Sequence, residues 1–219
     1  RFGQAGYAVA IHYHNSRDAA FSLRQQLEDM GCDADCFGAD ISDRNQVERM
    51  VEDATRRFAH IDVLINNAGM AQQKLFCDIT ATDWERMIGV NLTGVFHTCQ
   101  CVLPQMLRRQ KGKIINVSSI WGITGASCEV HYSAVKAAVI GLTKALAREV
   151  GPSGIQVNCI APGVVDTPMN AALDAQIRAQ LCDETPLGTI GTPQDIAHAL
   201  LFFASEQADF ITGQVLSPN

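Results

Sequence analysis

Short apolar runs rich in branched residues alternate along this chain with longer stretches in which apolar side chains recur every three or four positions. The first pattern is that of strands buried on both faces, and the second is that of helices packed along one stripe. Strands are expected over residues 7–13, 34–39, 61–66, 113–118, 155–160 and 214–217, and helices over 16–30, 43–58, 82–109, 131–150 and 192–205. This alternation predicts repeated βαβ units, hence an α/β fold built on a doubly wound parallel sheet in three layers. Such sheets bind ligands beyond the carboxyl ends of their strands, where Asp40, Asn66, Ser118, Ser119, Pro162 and Gly163 fall.

A Rossmann-like sheet that holds a dinucleotide opens with a strand and a glycine-rich turn, which set the pyrophosphate on a helix N-terminus. Here the opening Arg1-Phe2-Gly3-Gln4-Ala5-Gly6 reads instead as the end of a helix, stopped by glycine and leading straight into a strand. The expectation is therefore one domain over residues 1–219 that lacks its first strand and glycine turn. With 47% hydrophobic and 18% charged residues, 219 residues suffice for one sizeable core.

Charge removes several classes of function. Lys and Arg total 17 against 23 acids, a net charge of −6, which disfavours a nucleic-acid partner. The one basic cluster, Arg108, Arg109, Lys111 and Lys113, reads as a solvated helix end. No apolar run reaches the roughly 18 residues of a membrane helix, and the start has no signal-like segment, so no membrane partner and a cytoplasmic location are expected. The eight cysteines form no C-x-x-C pair, and Cys99, Cys101 and Cys159 read as small buried hydrophobes. The six histidines make no ligand set, so no metal site is expected.

The chemistry concentrates at Tyr132-Ser133-Ala134-Val135-Lys136, with Ser119 thirteen residues upstream and Asn91 before it. Val135, Val139, Leu142, Leu146 and Val150 keep helical spacing, so Tyr132 and Lys136, at i and i+4, share one helix face. A phenol titrates near ~10, and a fixed ammonium beside it favours its ionisation. A phenol, an ammonium, a hydroxyl and an amide converging on one carbonyl are the minimum for moving a proton while a cofactor moves a hydride.

Taken with Asn66-Asn67-Ala68-Gly69 after a strand, Asn91 in Val-Asn-Leu-Thr-Gly, Ser118-Ser119 ending a strand and Pro162-Gly163, the chain resembles the classical short-chain dehydrogenases/reductases over essentially its whole length. The resemblance implies a catalytic set of Asn91, Ser119, Tyr132 and Lys136. Tyr132 would be the general acid in reduction, Lys136 would bond the nicotinamide ribose and bias Tyr132 toward ionisation, Ser119 would hold the carbonyl oxygen, and Asn91 would position a water. Cofactor contacts are implied for Asp40, Ile41, Asn67, Ala68, Gly69, Tyr132, Lys136, Pro162, Gly163, Val165 and Thr167. Substrate contacts are implied for Ser119, Trp121, Glu129 and Tyr132. Residues 168–188 have the length of a lid.

After the strand over 7–13 comes His14-Asn15-Ser16-Arg17, with no acid to meet a ribose 2′-hydroxyl and several donors for a 2′-phosphate. NADP(H) is therefore expected rather than NAD(H). Within the family the likeness is to 3-oxoacyl-acyl-carrier-protein reductases, so the expected substrate is a small or carrier-linked ketone, although Gln110 and Ser153 stand where those reductases often carry basic residues. Two alternatives stay open. Residues 119–132 also resemble a reductase of a 5-aminopentanone group on elongation factor P, with Glu129 facing the amine; or the chain binds a dinucleotide without catalysis. The apolar helices over 82–109 and 131–150 suggest a homotetramer.

Overall fold

The computed structural model describes residues 1–167 and 175–219. The described strands are β1 (Val9–Tyr13), β2 (Ala34–Gly38), β3 (Val63–Asn66), β4 (Gly112–Val117), β5 (Ile155–Ile160) and β6 (Val215–Leu216). Helices α1 (Arg17–Asp29), α2 (Arg44–Phe58), α3 (Ala81–Ile88), α4 (Gly94–Arg109), α5 (Trp121–Thr124), α6 (Val130–Val150), α7 (Ala175–Glu184) and α8 (Pro193–Ala204) connect and cover them. Every strand predicted from the apolar runs is present, and every pairing is parallel.

The strands pair in two groups, β1 with β2 and β3–β4–β5–β6 in that order. Between the groups, side chains make the connection. Phe2 and Tyr7 pack with Val63, Ile65, Ile115 and Phe203, and the Tyr7 hydroxyl donates to the carbonyl of Ala204 at 3.1 Å. Tyr7 N–H bonds the carbonyl of Phe2, which is why β1 starts at Val9 and not at Tyr7. Gly6, with φ +85, ends the short turn Gly3–Ala5 in the left-handed conformation that glycine adopts without strain.

The two faces of the four-stranded sheet are covered separately, which makes the layers three. On one side Ile114, Ile155 and Val157 meet Val47 and Val51 of α2, Val95, Val102 and Met106 of α4, and Val139, Ala147 and Val150 of α6. On the other, Ile115 and Ile160 meet Phe203 and Ala204 of α8. Burial of this branched apolar surface is the main stabilising contribution, at about 25 cal/mol per Å².

The helix expected over 82–109 is broken. α3 ends at Ile88, a π turn spans Gly89–Thr93, and α4 begins at Gly94, where any Cβ would meet the Ile41 side chain at 2.7 Å. Start signals hold elsewhere: Thr80 and Asp83 form a capping box on α3, Thr192 and Asp195 another on α8, and Asp43 caps α2. Of the expected lid, residues 168–174 lie outside the described residues, and α7 occupies most of the remainder.

Candidate active site

Three structural devices bring the predicted chemistry together. β4 ends at Val117, and the Ser118 N–H donates to the carbonyl of Ile160 at 2.7 Å, which holds the chain against β5. The Ser118 hydroxyl then donates to the carbonyl of Lys136 at 2.7 Å, clasping the strand end to α6. Finally Gly122 lies directly on α6, where a Cβ would stand 2.7 Å from the Lys136 backbone carbon. Only glycine fits there, so α5, an element the apolar pattern did not predict, is drawn against the helix that carries Tyr132 and Lys136.

The result is compact. The Ser119 hydroxyl accepts from the Trp121 N–H at 3.2 Å and acts on the Tyr132 phenol, favouring its ionised form. Lys136 Nζ donates to the carbonyl of Val117 at 2.9 Å and lies 5.5 Å from the centre of the Tyr132 ring. Burial is the first cause of both shifts in acidity. It pushes the Lys136 ammonium down to about 8 and raises the Tyr132 phenol, which the Ser119 hydroxyl lowers and the Glu129 carboxylate raises further. Lys136 is not among the groups that move Tyr132, so the expected depression by its ammonium does not appear, and the phenol, raised by burial, keeps its proton at neutral pH.

Asn91 sits in the π turn, 1% exposed, and its side chain is fully engaged. Its Nδ2 donates to the carbonyl of Met70 at 3.0 Å, and its Oδ1 accepts from the Met70 N–H at 3.2 Å. Gly69 makes room for this clasp, since a Cβ there would lie 2.7 Å from Asn91 Oδ1 and 3.5 Å from Lys136 Nζ. The amide that was expected to position a water therefore pins the turn after β3. A second buried relay ties the elements together: Thr98 donates to Asn66 at 2.7 Å, Asn66 to Asn116 at 2.8 Å, and Asn116 to Thr143 at 2.9 Å. It crosses α4, β3, β4 and α6 and fixes the strand ends that carry the site.

A groove of about 520 Å³ opens between the ends of β1 and β3. Of the expected cofactor residues, His14, Asn15, Ser16, Asp40, Ile41, Ala68 and Gly69 line it. His12, Met70, Arg86 and Val90 line it too and were not anticipated. Asp40 is held below the usual carboxylate range, first by the Ser42 hydroxyl, and lies 3.9 Å from His14 Nε2. Arg17 is not among the lining residues; its guanidinium lies over the Phe21 ring at 5.3 Å. Asn67 is exposed beside the groove. Pro162, Gly163, Val165 and Thr167 stand apart from it, beyond β5, where the carbonyl of Pro162 accepts from the Ile120 N–H at 2.8 Å and Val165 pairs with Gly191. Trp121 opens α5 beside Ser119, and Glu129 accepts from the Gln73 amide at 3.1 Å.

A family profile described as enoyl-(acyl carrier protein) reductase matches residues 1–218. The 3-oxoacyl-[acyl-carrier-protein] reductase of Staphylococcus aureus is 37% identical over 219 residues, which are 100% of this chain and 89% of that one. The chain belongs to the short-chain dehydrogenase/reductase family. The corresponding reductase of Thermotoga maritima is 38% identical over 98% of this chain and 87% of its own. Among solved structures, a gluconate 5-dehydrogenase from Burkholderia cenocepacia, in complex with NADP and tartrate, superimposes with a TM-score of 0.94 at 35% identity, covering 99% of this chain and 86% of that one. A 3-oxoacyl-[acyl-carrier protein] reductase from Brucella melitensis gives 0.93 at 32% identity, covering 99% and 82%. The fold expectation therefore stands, and so does the assignment to an NAD(P)-dependent oxidoreductase class acting between alcohol and carbonyl.

Proposed function

We propose that this protein reduces a ketone of the 3-oxoacyl thioester type to a secondary alcohol with NADPH. The carrying observation is the convergence of Ser119, Tyr132 and Lys136 on one buried point. When bound, the cofactor supplies the hydride. Ser119 and Tyr132 hold the carbonyl oxygen through their hydroxyls, and Tyr132, whose raised phenol retains its proton, delivers it as the oxygen gains charge. Lys136 holds positive charge below about 8 and lies under the same ring, where it stabilises the phenolate that remains.

The groove fits a dinucleotide's adenosine end. Its walls include Ile11, Ala68 and Val90, which suit a flat base, and its rim carries His14, Asn15 and Ser16, which suit a phosphate. A relative crystallised with NADP supports the same cofactor here. The 3-oxoacyl reading is preferred to an aminoketone on elongation factor P because the relatives reported above include several 3-oxoacyl reductases, and because Glu129 is already bonded by Gln73. Retention of the whole set of reactive residue types supports catalysis over silent binding. Exposed Phe96 and Leu107 on α4 support self-association through that helix into a tetramer, and eight free cysteines suit a reducing cytoplasm.

The test is NADPH consumption with acetoacetyl thioester, 5-aminopentan-2-one and 5-keto-gluconate at equal concentration. The reading expects the thioester to be turned over with the highest kcat/KM. A higher value for either alternative contradicts the substrate assignment, and no turnover with a wider panel of ketones contradicts the enzyme.

A further inference from the structure

Three consecutive residues after the β3 turn meet the segment that leads into Tyr132. Gln72 pairs with His131 at 3.0 Å, Gln73 with Glu129 at 3.1 Å, and the Lys74 N–H with the carbonyl of Cys128 at 2.8 Å. Cys128 itself adopts φ 61, a left-handed conformation that costs a non-glycine residue energy and persists only where its surroundings hold it. This strap fixes the residues immediately ahead of Tyr132.

Its buried member is His131, 0% exposed. The hydrogen-bond directions around it are determined by chemistry. Asp83, kept ionised well below the usual range by Lys74 first and then by Thr80 and Gln72, can only accept, so Gln72 presents its NH₂ to Asp83 at 2.8 Å. The Gln72 carbonyl oxygen is left for His131, and a carbonyl only accepts, so His131 Nε2 carries the hydrogen. Nδ1 then has no partner among the described residues, a rare condition for a fully buried nitrogen. Lys74 closes the far end on Asp83 at 2.6 Å.

We propose that His131 is a positioning residue: the Asp83–Gln72–His131 relay sets the first turn of α6, and thereby aims the Tyr132 hydroxyl at Ser119. The proposal rests on the assignment of Tyr132 as proton donor. A tautomerically fixed imidazole at position 131 holds the first turn of α6 through one directed hydrogen bond, whereas an acid in place of Gln72 would bring a second carboxylate beside Asp83 and change the field at Tyr132.

The test uses the full chain with NADPH and the best ketone substrate, and compares His131→Phe, His131→Gln, Gln72→Leu and Gln72→Glu. Expected for His131→Phe and Gln72→Leu is a kcat loss of about tenfold or more, with KM and NADPH affinity within about twofold, as for a geometric defect at the reacting atoms. A variant combining His131→Phe with Gln72→Leu should lose no more than either single one, because both cut the same relay. His131→Gln, which keeps a donor near the Nε2 position, should recover most of kcat, and Gln72→Glu should shift the pH profile of kcat. Unchanged kcat in Gln72→Leu, additive losses in the double variant, or a His131→Gln no better than His131→Phe would overturn it. A Tyr132→Phe variant with full activity would instead refute the underlying assignment, whatever His131 does.

Discussion

The two halves of the molecule are built to different standards. β4 and β5 are buried almost throughout, and the relay through Asn66, Asn116 and Thr143 locks their ends to α6. β1 is half-buried over most of its length, pairs with β2 alone among the described residues, and is joined to the larger sheet through Phe2 and Tyr7. Ser119, Tyr132 and Lys136 are mounted on the first half, and the groove residues His14 and Asp40 on the second. The difference teaches that the groups proposed to handle the proton are mounted on preorganised packing, whereas the strand that bounds the groove is less deeply buried.

Substitutions should separate the halves. The largest effect is expected for Lys136→Met, which should lower kcat by about two to four orders of magnitude, read by NADPH consumption. It also carries a pH signature. The folded chain holds the Lys136 pKa down at about 8, so burial of the charged form opposes folding below that pH, and the opposition fades as pH rises toward the unfolded value near 10.5. The stability gap between wild type and Lys136→Met should therefore change by up to about 3 kcal/mol between pH 8 and 10.5, in favour of wild type at high pH, as measured by urea unfolding. A gap that stays flat across that window would mean that Lys136 is not buried as described.

Next comes Asn116→Leu, which removes the central member of the buried relay and leaves Asn66 and Thr143 without it. A loss of about 1–3 kcal/mol is expected by denaturant titration, accompanied by lower kcat. Gly69→Ala should push against the Asn91 amide and weaken NADPH binding about tenfold in a fluorescence titration, while the rest of the sheet stays intact. The smallest effect belongs to the looser half: His14→Gln should raise the Kd for NADP about two- to fivefold with stability within about 0.5 kcal/mol. Should His14→Gln unfold the chain, or Asn116→Leu leave it unaffected, the contrast between the halves would collapse.

Much of this was legible in the chain itself. The apolar runs located all the described strands, and the i, i+4 spacing put Tyr132 and Lys136 on one face of α6. Three features were not legible, for physical reasons. The π turn at Asn91 spans only Gly89–Thr93, too short a stretch to show as a break in the apolar pattern of residues 82–109. α5 is too short for a period, and its place depends on Gly122 touching a helix distant in sequence. Gln72 and His131, 59 positions apart, look like ordinary polar residues until the fold joins them. Cys101, expected to be buried, is only partly so, packing at the margin of the core that encloses Cys99 and Val102. Arg17 was expected at the groove, and packs instead on Phe21 one turn along its own helix.

The central claim is the proposal that Tyr132, raised by burial and acted on by Ser119, gives the proton. Its most direct measurement is single-turnover oxidation of bound NADPH by a 3-oxoacyl thioester in wild type and Tyr132→Phe, with NADPH affinity determined for both. The account predicts unchanged affinity and a rate at least about a hundredfold lower in the variant. An equal rate in the two proteins would contradict it.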